Sequence, residues 1–293
     1  MTVTAAIDPF TRGVDGVYSD GVVRVSRTPV GPDGAALVRT RHFALGIQDG
    51  QLQLWHWLPA ARIDNDLAGL LAEELFAPGW ASGADTFERM LTGVVLSSAP
   101  DPVEAWLGFY RNTLRRLDEP GTGGASGSLS DYAPVYAHAR ALLAGRSVLE
   151  LACCFGFFSL RLGRAFEVTA SDRSAGTVAL LRRVAPALDR PLRTLVCDAA
   201  RVPEAPASFD SVVALHLLEH LDEADGAAVV AEAMRLARRR VIVAVPYEDQ
   251  PTPAFGHVRA LRPEDLRTLG RLSGWPFELH ESHGGWLVLD RPA

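Results

Sequence analysis

The chain has 293 residues, 48% hydrophobic and 22% charged, enough to bury a sizeable core as one large or two modest domains. Its net charge of −6 gives no electrostatic reason to expect a nucleic-acid partner, and all 29 basic residues are arginine, which excludes lysine bases and Schiff bases. No basic-then-apolar leader opens the sequence, no run of about 18 apolar residues appears, and the three cysteines offer no disulfide framework, so a cytoplasmic protein without a membrane span is expected.

In chain order, strand-like alternation runs over 22–28, 36–46 and 51–58, with Asp49-Gly50 supplying a tight hairpin turn between the last two. Ile63, Leu67, Leu70, Leu71 and Leu75 fall on one face of a helix, with Asp64 as a candidate N-cap. Phe87, Met90, Leu91, Val94 and Val95 repeat the pattern, and 103–117 reads as a third helix. Trp55, Trp57, Trp80 and Trp106 are expected in the core, although an exposed indole would stack well on a sugar. A Gly/Ser-rich stretch with no apolar face, 119–130, reads as a linker. It separates a small N-terminal α+β domain (1–118) from a larger domain (131–293).

The larger domain alternates strand and helix. Strands are predicted at 147–152, 167–171, 193–196, 208–215, 240–245, 276–281 and 286–289, the first five separated by helical segments as a parallel sheet covered on both faces requires. Only Ser282-His283-Gly284-Gly285 joins the last two, too short for a crossover, so they form an antiparallel hairpin. The fold class expected is therefore α/β: a doubly wound, seven-stranded, mostly parallel sheet with a smaller N-terminal α+β domain.

In such a sheet the ligand sits beyond the carboxyl ends of the strands, where the first turn must let a nucleotide approach the backbone. Ala152, Cys154 and Gly156 supply small residues at alternate positions after the first strand. Asp172 ends the second strand, 22 residues past Glu150, where a carboxylate can accept from both ribose hydroxyls. Asp198 follows the third, placed for an adenine amino group. Singly, each of these acids reads as a turn or cap.

In this order and spacing they resemble the class I S-adenosylmethionine-dependent methyltransferases, over 130–290. That family's acidic residue and glycine-rich turn stand here as Glu150-Leu151-Ala152-Cys153-Cys154-Phe155-Gly156, two glycines being replaced by Ala152 and Cys154. The resemblance implies a Rossmann-like methyltransferase fold and S-adenosylmethionine as cofactor. Asp172 would hold the ribose, Asp198 with Ala199 the adenine, and His216 and Leu217 the methionine end. A dinucleotide site would want three glycines where this turn has one.

His216-Leu217-Leu218-Glu219-His220 has the spelling of an inverted zinc-protease motif, but it follows a strand rather than lying on a helix. The run is similar to one in ubiquinone-pathway O-methyltransferases, which implies a divalent metal held here by His216, Glu219 and His220. Methyl transfer to a hydroxyl also needs a proton acceptor. Histidine suits that role, and His220, His216 and His257 are the candidates, on the rim after the fourth and fifth strands with Glu248 and Asp249.

Segments of both domains are similar to the mycofactocin oligosaccharide methyltransferases of actinobacteria. They include 1–13, Asp66-Leu67-Ala68-Gly69-Leu70-Leu71, Cys197-Asp198-Ala199-Ala200, Val245-Pro246-Tyr247-Glu248-Asp249 and His283-Gly284-Gly285-Trp286. That resemblance implies a glycan acceptor, a glucose hydroxyl on a peptide-derived redox cofactor. Alternative readings are another small-molecule acceptor, such as a natural-product or quinone-like hydroxyl, or non-catalytic binding of S-adenosylmethionine.

Overall fold

A computed structural model of the chain describes residues 7–11, 13, 16–28, 36–119 and 129–292, with 130 and 131 described by backbone alone. Of the predicted linker, 119–130, residues 120–128 lie outside these, as does much of the opening 1–13, while Leu129 and Ser130 already belong to the next helix. Two compact units are present, Met1–Tyr132 and Ala133–Ala293.

The first unit holds β1 (Val17–Ser19), β2 (Val23–Arg27), β3 (Val38–Arg39), β4 (Phe43–Gln48) and β5 (Gln51–His56), in sheet order β1-β2-β5-β4-β3. Asp49 and Gly50, at φ 52° and 75°, close the β4–β5 hairpin with Gln48 opposite Gln51. Two successive positive φ values match the right-handed twist of the flanking strands. The strand predicted over 36–46 is broken instead. The Thr40 hydroxyl accepts from the Phe43 N–H at 3.1 Å, and Val38–Arg39 folds back antiparallel on β4.

Helix α1 (Asp66–Leu71), continued by a π turn over Ala72–Phe76, is followed by α2 (Ala84–Leu96) and α3 (Pro102–Asp118). The expected cap at Asp64 acts one residue early, accepting from the Asp66 N–H at 3.0 Å, while Asn65 holds the cap position. Helix α2 lies close on β2 because Gly93 has no side chain: a Cβ there would stand 2.3 Å from Val25 Cγ2. Trp106 is buried, Trp55 and Trp57 are half-buried, and Trp80 is exposed.

The second unit begins within α4 (Leu129–Leu142) and contains β6 (Ser147–Leu151), α5 (Phe157–Leu162), β7 (Glu167–Asp172), α6 (Ala175–Ala187), β8 (Arg193–Val196), β9 (Phe209–Leu215), α7 (Glu223–Leu236), β10 (Ala237–Val245), α8 (Pro263–Ser273), β11 (Phe277–Glu281) and β12 (Gly285–Asp290). The sheet order is β11-β12-β10-β9-β6-β7-β8. Strands β6 to β10 run parallel, and β12 enters antiparallel between β10 and β11. This is the seven-stranded, mostly parallel sheet expected, with its closing hairpin.

The central strands are apolar on both faces because both are covered. Val212, Ala214, Val241 and Val243 pack with Val229 and Leu236 of α7 and Leu266 of α8. The alternate residues Val213, Leu215, Ile242 and Ala244 pack with Val135 and Ala139 of α4 and Phe158 and Leu162 of α5. The chain's winding direction reverses between β6 and β9, and the carboxyl ends of β6, β7, β9 and β10 share one sheet edge. A doubly wound sheet binds its ligand at such a reversal.

Candidate active site

The turn after β6 is built from backbone geometry. Ala152, Cys154 and Gly156 all adopt left-handed φ values, 52°, 49° and 71°. Only Gly156 adopts that conformation without a Cβ clash, so Ala152 and Cys154 carry strain, and their short side chains leave the main chain of the turn accessible. At Gly156 a Cβ would also stand 2.6 Å from Leu181 Cδ2, so this position has no room for a side chain. The turn is fastened to its neighbour strand by the Cys153 N–H to Ser171 O bond, 2.8 Å. Such a cradle admits a nucleotide-like group against the main chain.

Asp172, at the end of β7, accepts from the Cys154 N–H through Oδ2 at 3.0 Å and from the Ser174 N–H through Oδ1 at 2.9 Å. Each oxygen keeps a further lone pair for a ligand hydroxyl. Asp198, exposed, accepts from the Ala200 N–H at 2.8 Å and so shapes the turn after β8, with Ala199 half-buried beside it. Glu150 lies deeper, 5% exposed, and its Oε2 accepts from both the backbone N–H (3.1 Å) and the hydroxyl of Ser159. Burial pushes the Glu150 carboxyl up to about 7, against those two bonds. Burial also raises the Cys153 and Cys197 thiols, which makes them packing residues and not nucleophiles.

The rim after β9 and β10 is of another kind. Leu218–His220 form a single 3-10 turn, and helix α7 starts only at Glu223, capped by Asp222. The Glu219 carbonyl accepts from the N–H groups of Val258 (2.9 Å) and Arg259 (3.3 Å), which ties this turn to the segment carrying His257. The His220 and His257 rings meet edge to face with centroids 4.8 Å apart. His257 Nδ1 donates to Glu248 Oε2 at 2.7 Å, and Glu248 Oε1 accepts from the Thr252 hydroxyl at 2.9 Å. Glu219 is 1% exposed, and burial, with Glu248 adding to it, pushes its carboxyl up to about 8. Burial, then the neighbouring His257 and His220, takes His216 down to about 4, and burial lowers His220.

The structure brings Glu219, His220 and His257 together, one ligand atom of each within 4.8 Å of the others. The metal set expected from the sequence, His216 with Glu219 and His220, is not the grouping formed. His216 sits at φ 53° at the end of β9, before the 3-10 turn begins, and its Nδ1 stands 4.0 Å from Glu219 Oε1. Adjacency along the chain favoured His216, whereas the fold delivers His257 from 37 residues beyond His220. Glu248 and Thr252, which hold His257 and its partner, carry no motif that marks them. Their signal is only that they follow the fifth parallel strand.

Residues 148–240 match the family model described as a methyltransferase domain, which spans the turn after β6, both acids and the 3-10 turn. That match covers part of the second unit and makes residues 148–240 similar to a methyltransferase domain. Among solved structures, the chain is similar to magnesium protoporphyrin IX methyltransferase from Synechocystis PCC 6803 with bound SAM, at 20% identity over 61% of this chain and 89% of that one, TM-score 0.43. It is also similar to a SAM-dependent methyltransferase from Aquifex aeolicus, at 16% identity over 60% and 95%, TM-score 0.46. A protein from Pyrococcus horikoshii OT3, PH0226, gives 18% over 58% and 93%, TM-score 0.47. Likenesses this distant say nothing about the reaction. No curated protein matches the sequence.

Proposed function

We propose that the chain transfers a methyl group from S-adenosylmethionine to a hydroxyl of a sugar, on the oligosaccharide of a mycofactocin-type redox cofactor. The observation that carries the reaction class is the methyltransferase-domain match lying over the left-handed turn 152–156 and Asp172. That turn and the Asp172 carboxylate fit a nucleoside approaching the main chain, with Asp198 and Ala199 on the adenine side and His216 toward the methionine end. In the reaction the acceptor O–H proton passes to a rim histidine and the oxygen bonds the methyl carbon. The C–S bond breaks with its electron pair on sulfur, leaving S-adenosylhomocysteine and a methyl ether. The glycan acceptor is supported by the resemblance of both parts of the sequence to the mycofactocin oligosaccharide methyltransferases.

Calorimetric titration with S-adenosylmethionine, followed by mass spectrometry of the glycosylated cofactor after incubation, tests both levels. Binding and one added methyl are expected. No binding of either sulfur compound removes the methyltransferase reading. Turnover on a quinone-like phenol but not on the glycan removes the sugar, and binding without S-adenosylhomocysteine release makes the protein a non-catalytic binder.

A further inference from the structure

Glu219 presents a problem of electrostatics. It is buried, and no other described residue donates a hydrogen bond to either of its carboxylate oxygens. Arg259, the nearby cation, spends its Nε on the Leu218 carbonyl at 3.3 Å. A buried carboxylate without partners is costly unless it is protonated or meets a positive charge. Three imidazoles stand near it: His216, whose Nδ1 is 4.0 Å from Oε1, and His220 and His257, which group with it and are both already oriented. The Nδ1 of His257 is taken by Glu248, and the Nδ1 of His220 faces the Gly256 carbonyl at 3.3 Å. Nε2 of each ring is therefore the atom open to a ligand. A ring held through one nitrogen by a carboxylate or carbonyl is the arrangement that outer groups impose on metal-binding histidines.

We propose that Glu219, His220 and His257 form a binding site for a divalent transition ion, with Glu248 as the outer carboxylate that orients His257. Two nitrogens and one carboxylate favour manganese, iron, cobalt or zinc over magnesium and calcium, which prefer all-oxygen sets. Donors around one such ion at about 2.1 Å lie roughly 3–3.5 Å apart, so the cluster need close by only about 1–2 Å. The main-chain bonds from Val258 and Arg259 to the Glu219 carbonyl already fix the two segments that must close. The site's use rests on the proposed function: the ion's remaining positions would take the acceptor's oxygen atoms and lower the pKa of the reacting hydroxyl.

The test uses tag-free full chain, stripped with chelator, titrated with cobalt(II) by visible absorption and dialysed against manganese(II). One ion per chain is expected, with magnesium bound at least about 100-fold more weakly than manganese. Glu219→Gln and His257→Ala should each weaken binding by about 100-fold or more, and Glu248→Gln by roughly 10–100-fold. His216→Ala should leave ion affinity within about threefold, since it lies outside the set. If Glu219→Gln fails to fold, His257→Ala carries the same comparison. No stoichiometric ion, a cobalt spectrum indifferent to His257→Ala, or an equal loss in His216→Ala would overturn the site. Titration with S-adenosylmethionine on the same samples separates the two readings. Stripped protein that binds S-adenosylmethionine but no ion overturns the cation site alone, and ion binding without affinity for S-adenosylmethionine overturns the methyltransferase reading alone.

Discussion

Glu150 and Glu219 are both buried carboxylates near the ends of parallel strands, and burial raises the pKa of both. Their surroundings differ. Glu150 receives two hydrogen bonds from Ser159 at the start of α5, so it has a partner within the fold. Glu219 receives none from another described residue and faces two histidines. The turn after β6 is thus a finished piece of backbone architecture, which under the proposed function presents a surface to the cofactor. The rim after β9 and β10 keeps polar groups unsatisfied and ready for something that arrives. A region with its hydrogen bonds closed holds a ligand in place, and one with them open is equipped to change the ligand's protonation.

The largest effect expected from this contrast is at the rim. His257→Ala should lower kcat by roughly 10²–10⁴, the usual worth of a positioned proton acceptor or its equivalent. Affinity for S-adenosylmethionine should stay within about twofold, because the residue is not in the turn. A comparable loss of cofactor affinity, read by calorimetry, would show that the two regions are not separable.

The next effect concerns pH and the turn. Glu150 has a folded pKa raised from 4.5 to about 7, so between those values the native state binds a proton that the unfolded chain has released. Its contribution is fully present below 4.5 and is lost as pH rises through 7, on the order of 3 kcal/mol across the window. Denaturant melts of wild type and Glu150→Gln should therefore diverge as pH rises from 5 to 8, with wild type losing ground. Parallel curves would mean that Glu150 is ionised throughout. Asp172→Ala comes after it. Losing the bonds from Cys154 and Ser174, and the ribose contact proposed for this carboxylate, should weaken S-adenosylmethionine binding by about 10–100-fold. Asp172→Asn, which keeps an acceptor for the turn, should fall between.

Much of the second unit was legible because each parallel strand is a short apolar run between helical periods, and because four residues between 281 and 286 permit only a hairpin. The first unit was less so. Strand β1 has three residues, too few to show alternation, and the break in 36–46 depends on a Thr40 side chain bond that propensity does not register. In the candidate site, the small residues of the turn and the place of Asp172 at a strand end were readable from spacing, since both positions are local to one strand end. The grouping of His257 with Glu219 and His220 was not. It comes from main-chain bonds between segments 39 residues apart, and His216 was favoured instead only because it is near in sequence.

The smallest effect tests the contrast most directly, because it opens a closed group without touching a ligand contact. Ser159→Ala removes the hydroxyl that donates to Glu150 and leaves the backbone N–H of residue 159 in place. The hydrogen bond itself should cost about 1 kcal/mol. With one donor gone the Glu150 carboxyl moves further up, so the pH window over which wild type and Glu150→Gln diverge should extend to higher pH in the Ser159→Ala background. The two substitutions share one bond, and their effects in a double-mutant cycle should fall short of additive by a comparable amount. Additive costs, with an unmoved pH window, would mean that Ser159 does not hold Glu150. Satisfaction by hydrogen bonding would then no longer distinguish the turn from the rim, and Glu150 would join Glu219 as a carboxylate awaiting a partner.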